Sequence, residues 1–195
     1  MNPIPKNRLE AFSDGVLSII ITIMVLQLRP PATTDLAALK PLLPALLTYA
    51  MSFVYLAIYW NNHHHLLHTA KHINGAILWA NSHLLFWLSL FPFVTAWVGQ
   101  THSAAWPTAF YGVVSFMAAG AYYILQRCII ASQGKGSVLA SVLGKDWKGK
   151  MSPLCYLVAI ALAFVSPWFS NALYIFVASL WVVPDSRIES QAHPD

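Results

Sequence analysis

Residues 8–22, RLEAFSDGVLSIIIT, set Arg8, Glu10, a Ser13-Asp14 pair and Thr22 in an otherwise apolar run. A carboxylate accepts hydrogen bonds or pairs with a cation, and a hydroxyl oxygen can contact a cation where a methyl cannot. A second group comprises His63, His64, His65, His68, His72 and His83. His64 and His68 stand four apart and would share a helical face, a spacing open to metal binding. No cysteine and no second acidic residue lies near them in sequence. The better expectation is a polar cluster in which one or more histidines, represented by His64, pair with Asp14, Ser13 or Arg8, with Asn81 joining. An enzyme would need a nucleophile or a metal triad at one depth, and only the histidines approach that. No cofactor, no metal and no enzymatic activity are expected.

The elements that must position these groups are membrane helices. The chain has 195 residues, of which 57% are hydrophobic and 9% charged, whereas soluble domains carry about 25% charge. A crossing helix takes roughly 20 apolar residues. Six segments qualify, at 9–29, 43–63, 74–99, 105–131, 152–168 and 171–184. The last two are short and joined by SPWFSN, a tight hairpin. The expected fold is an all-α integral membrane protein with six transmembrane helices in a single domain spanning 1–195. Glu10 and Asp14 interrupt the basic start of the first segment, and RPPATTD after it is a poor cleavage site, so it reads as a retained span rather than a signal peptide.

Six spans place Lys6, Arg8, Lys71, Arg127, Lys135, Lys145, Lys148, Lys150 and Arg187 on one side, against Arg29 and Lys40 on the other. The lysine and arginine bias puts both termini in the cytoplasm. The basic balance therefore reflects topology, and no nucleic-acid partner is expected. Cys128 and Cys155 fall near cytoplasmic helix ends, where reduced thiols are the default. The inner connection 132–150 contains GKGS without phosphate-loop spacing or a preceding strand; an interfacial helix is expected near 138–143. Segments one to three and four to six share no motif. That weakens an inverted-repeat transporter and favours a pore assembled from identical chains.

Wound at about 100° per residue with Ile19 at zero, Ile23 falls at about +40°, Thr22 at about −60° and Leu26 at about −20°. Asp14 falls at about −140° and Ser13 at about +120°. One side is thus an aliphatic stripe with one hydroxyl, and the other presents Ser13 and Asp14 to neighbouring helices. Asp14 sits in the early turns, where the helix dipole favours negative charge, and Gly15 would admit a neighbouring backbone. Arg8 falls near the stripe and is expected to bend towards Asp14 or a carbonyl, in a structural role. Periodicity alone leaves the stripe open to lipid contact or core packing.

Arg8-x-x-x-Phe12-Ser13-Asp14-Gly15 at the start of the first helix resembles the signature of the transmembrane protein 175 family, potassium-permeable channels of bacterial membranes and animal lysosomes. YWNNHHHLLH (59–68) is similar to the tryptophan-then-histidine end of the family's second helix. NSHLLFWLSLFPF (81–93) is similar to its third. Segments four to six match only in length and hydropathy. The resemblance implies a homotetramer in the bacterial cell (inner) membrane, with helix 1 of each subunit lining a central pore that passes K+. It places the hydrophobic gate at Ile19, further layers at Ile23 and Leu26, and the selectivity threonine at Thr22. Beside it, from the residues themselves, Arg8, Phe12, Ser13, Asp14, Gly15, His64 and Asn81 are expected to form a structural polar network. No TVGYG stretch occurs, so a modest preference for potassium is expected. The alternatives are a secondary transporter, which would want a broken helix or a charged residue at mid-membrane, and a proton-conducting protein, since animal members also pass protons. Pro92 could break helix three, but no acidic residue lies near it.

Overall fold

The structure is a computed structural model that describes residues 5–70, 72–133 and 147–182. Every regular element among these residues is helical: α1 (Lys6–Leu26), a 3-10 stretch (Leu36–Leu42), α2 (Leu43–Thr69), α3 (Gly75–Leu88), α4 (Phe91–Gln100), α5 (Ala105–Gln133), α6 (Trp147–Leu162) and α7 (Pro167–Val182). Lys71, Lys135, Lys145, Arg187 and the helix expected at 138–143 lie outside the described residues.

Proline marks the helix starts. Pro44, Pro92, Pro107 and Pro167 each sit in a first turn, where the missing N–H has no helical acceptor to lose. Asn74 caps α3, its side-chain oxygen accepting the Ile77 N–H at 3.0 Å. The segment expected as one span over 74–99 is broken at Ser89-Leu90. Pro92 has no N–H to donate to the Leu88 carbonyl, and its ring crowds that oxygen. Ser89 Oγ satisfies the Phe86 carbonyl at 2.7 Å.

Helix α5 is the central strut, packing on α3, α4, α6 and α7, while α1 lies outside it against α2, α3 and α4. Buried hydroxyls tie the bundle. Thr95 Oγ1 donates to Ser52 Oγ at 2.7 Å, Ser52 Oγ lies 3.1 Å from Tyr111 Oη, and Tyr55 Oη donates to the Tyr174 carbonyl at 2.6 Å. With no water in a bilayer core, such groups find partners on neighbouring helices. The α6–α7 hairpin closes through Ser170 Oγ to the Ala159 carbonyl at 2.7 Å and Trp181 Nε1 to Ser152 Oγ at 2.9 Å.

Gly112 of α5 makes the hairpin's close approach possible. A Cβ there would lie 2.7 Å from Ile160 Cγ1 and press on the Tyr174 hydroxyl. Gly112→Ala is expected to cost about 1–3 kcal/mol by overpacking, seen as a lower thermal midpoint in detergent. An unchanged midpoint would show that the hairpin can shift aside.

Among the described residues, four segments are long and apolar enough to cross a bilayer: Lys6–Leu26, Leu36–Thr69, Gly75–Gln100 and Ala105–Gln133. The hairpin helices are described over Trp147–Leu162 and Pro167–Val182, the second of them apolar. Lys6 Nζ donates to the His68 carbonyl at 3.0 Å, and Gln133 Nε2 donates to the Thr69 carbonyl. The start of α1 and the ends of α2 and α5 therefore meet at one end of the bundle.

Candidate functional site: the open face of α1 and its polar lock

Helix α1 has two distinct sides. Leu9, Ser13, Leu17, Ile20 and Met24, spaced by four, four, three and four, are buried against the bundle. The opposite side is open within the chain: Ile19 is 60% exposed and Leu26 75%, and Thr22 and Ile23 are exposed beside them. Arg8, Phe12 and Gly15 continue this open side towards the helix start. An added Cβ at Gly15 would meet nothing within 4 Å, so among the described residues no backbone approaches it. The close approach expected there has no partner among them.

The buried side is fastened by a directional chain of hydrogen bonds across three helices. His63 Nε2 of α2 stands 2.6 Å from Asn81 Oδ1 of α3; the amide oxygen only accepts, so the ring nitrogen donates. Asn81 Nδ2 donates to Ser13 Oγ at 3.0 Å, and Ser13 Oγ donates to the Leu9 carbonyl at 2.9 Å. All three side chains are buried, Ser13 and Asn81 completely. In a low dielectric such a satisfied chain fixes the relative rotation of its helices.

The network differs from expectation in several members. The histidine in it is His63. His64 is exposed and stacks on Trp60 with ring centroids 6.3 Å apart, because one residue of helix turns the side chain by about 100°. Asp14 is exposed and accepts from Trp60 Nε1 at 2.9 Å. It lies two turns inside α1, beyond the reach of the helix-end dipole, so the indole is what holds it to α2. The Arg8 side chain has no hydrogen bond or ion pair among the described residues, its backbone N–H donating to the Pro5 carbonyl at 3.1 Å, and Phe12 points out at 57% exposure. His83 accepts from Trp87 Nε1 within its own helix at 2.9 Å.

Thr22 Oγ1 donates to the Ser18 carbonyl at 2.8 Å, and Ser18 Oγ donates likewise to the Asp14 carbonyl at 2.8 Å. This back-bonding uses the hydroxyl hydrogen and leaves the oxygen's lone pairs outward, as acceptors. Among the described residues no three His, Cys, Asp or Glu side chains converge as metal ligands. The arrangement instead offers a rigidly mounted apolar face bearing one row of acceptor oxygen.

Several known proteins are similar to this chain. A sequence model of the family described as endosomal/lysosomal potassium channel TMEM175 matches residues 8–92. A potassium channel of Chryseobacterium sp. (strain P1-3) is 51% identical over 184 residues, covering 94% of this chain and 96% of that protein. The endosomal/lysosomal proton channel TMEM175 of Danio rerio is 37% identical over 82 residues, which is 35% of this chain and 16% of that one. The crystal structure of a lysosomal potassium-selective channel TMEM175 homolog from Chamaesiphon minutus superposes with a TM-score of 0.80 at 26% identity. That match covers 91% of this chain and 96% of the other. With a relative this similar along almost its whole length, the chain belongs to the TMEM175 family of membrane channels.

Proposed function

We propose that the chain, as one domain over 1–195, forms a homotetrameric potassium channel of the bacterial inner membrane, with both termini cytoplasmic. The observation that carries this reading is the open stripe Ile19–Thr22–Ile23–Leu26, set opposite a buried stripe that is locked to two other helices. An unpartnered stripe on a firmly held helix suits a face that meets its own copies around an axis. Among the described cations, Lys6, Arg8, Arg127, Lys148 and Lys150 fall at the end where α1 starts, and Arg29 and Lys40 at the other, which supports the orientation.

In this reading four Ile19 side chains make a narrow dry ring. A bare ion in hydrocarbon costs tens of kcal/mol, so such a ring closes by dewetting. Opening widens it enough for a partly hydrated ion, and four Thr22 oxygens replace some of the lost water. Hydroxyl dipoles are weaker ligands than a stack of carbonyls, and potassium gives up water more readily than sodium, so the preference for potassium is modest. No catalysis is required. The test is passive flux and reversal potential of the purified protein in liposomes under a potassium gradient. A reversal potential that tracks an imposed pH gradient instead would favour proton conduction, the function named for the zebrafish relative.

Thr22→Val keeps the side-chain shape and removes the hydroxyl. The expected result is a potassium-to-sodium permeability ratio that falls towards one while conduction persists, measured under bi-ionic conditions. A reversal potential identical to that of the unmodified channel would assign the hydroxyl to its Ser18 bond alone.

A further inference from the structure

A cavity of about 360 Å³ lies between α2, α5, α6 and α7, away from the open face of α1. Its walls are amphipathic. Tyr59 of α2, Tyr156 of α6 and Trp181 of α7 supply aromatic surface, and Arg127 of α5 and Lys150 of α6 line it as exposed cations. Among the described residues the ion pair is Lys6 with Glu10, so neither lining cation has a carboxylate partner there. Gln126 also lines the cavity, is only 8% exposed, and makes no side-chain hydrogen bond among the described residues. Its amide is reached through the cavity and is not sealed in the core, where the partnerless polar atom among the described residues is Thr108 Oγ1, so a ligand in the cavity can bond it.

The volume suits the lower part of the range for small-molecule sites, roughly 300–1,000 Å³. It holds a headgroup and the upper part of an acyl chain rather than a whole diacyl lipid. Arg127 near the end of α5 and Lys150 at the start of α6 place the charge at the membrane surface, with the aromatic walls deeper. Basic pockets between membrane helices take anionic headgroups; aromatic walls also attract a choline ammonium, but the Arg127 and Lys150 charges on this lining repel it.

We propose that this cavity binds an anionic glycerophospholipid from the adjacent leaflet. Arg127 and Lys150 hold the phosphate, the Gln126 amide bonds the glycerol oxygens, and the chain runs along Tyr59, Tyr156 and Trp181. The site is independent of the pore reading, and its readout is lipid retention rather than current.

The experiment is native mass spectrometry of the full-length protein in detergent. It is titrated separately with dioctanoyl phosphatidylglycerol, dioctanoyl phosphatidylcholine and glycerol 3-phosphate. The expected result is one phosphatidylglycerol retained per chain, at least about tenfold more tightly than phosphatidylcholine, with glycerol 3-phosphate not retained. The double substitution Arg127→Gln/Lys150→Gln should weaken phosphatidylglycerol by on the order of tenfold or more, through two lost charge-assisted bonds. Phosphatidylcholine, whose phosphate is already balanced by its own ammonium, should weaken by a smaller factor than phosphatidylglycerol. The control Arg29→Gln/Lys40→Gln, at the other end, should change nothing. Equal retention of the two lipids by unmodified protein overturns the proposal without reference to any variant. So does phosphatidylglycerol retention that ignores the Arg127/Lys150 change or falls equally with the control. Glycerol 3-phosphate bound as tightly as the lipid would assign the cavity to a soluble phosphate and likewise overturn it.

Discussion

Replacing Ile19 by Asn raises the resting potassium flux of reconstituted protein by on the order of tenfold or more, since about 1.4 kcal/mol off a barrier is a tenfold rate. A carboxamide in each subunit wets a ring that is dry when lined by isoleucine. The substitution should leave the subunit folded, because Ile19 is 60% exposed and contributes little to the bundle core. Stopped-flow or electrode-based efflux from potassium-loaded liposomes reads the change directly. No change at Ile19, combined with an increase on substituting an exposed residue of α5, would place the conduction path elsewhere.

The second large effect is on assembly. Asn81→Ala removes the bridge between His63 and Ser13, leaving a ring N–H and a buried hydroxyl each short of one partner. Two such losses cost about 2–4 kcal/mol together, a large share of a membrane domain's margin. The expected outcome is a lower yield of monodisperse protein and a lower melting midpoint in detergent. Asp14→Ala should be milder, about 1 kcal/mol or less, because its bond to Trp60 lies on an exposed side. If Asn81→Ala melts with the unmodified protein while Asp14→Ala does not, the anchor of α1 is the aspartate–indole bond.

The division of α1 into two sides could be read from spacing, since a single helix needs only its own period. The wheel grouped Ile19, Thr22, Ile23 and Leu26, and all four are exposed together. Ser13 pointing into the bundle was legible for the same reason. Which histidine meets Asn81 was not, because His63 and His64 differ by one step of rotation and only the packing of α2 on α3 selects between them. Trp60 as the partner of Asp14 is a contact over 46 positions, beyond any local pattern. Pro92 announced a break in the third segment, but the break falls at Ser89-Leu90, directly after Leu88, whose carbonyl the proline cannot serve. The start of α6 at Trp147 was hidden by Lys148 and Lys150, which lower the local hydropathy without stopping a helix.

The α6–α7 hairpin bears on how the protein sits in its membrane. Its turn exposes Phe164, Val165, Trp168 and Phe169, apolar and aromatic groups that settle at the lipid headgroup boundary. The turn is tied level with the start of α5: the Trp106 and Phe164 ring centroids lie 4.9 Å apart, and Asn171 Nδ2 donates to Ser103 Oγ at 3.0 Å. Trp106, itself exposed, joins the same belt. This end of the bundle therefore carries an aromatic collar fixed to the long central helix, and a change in bilayer thickness acts on α5 through that collar.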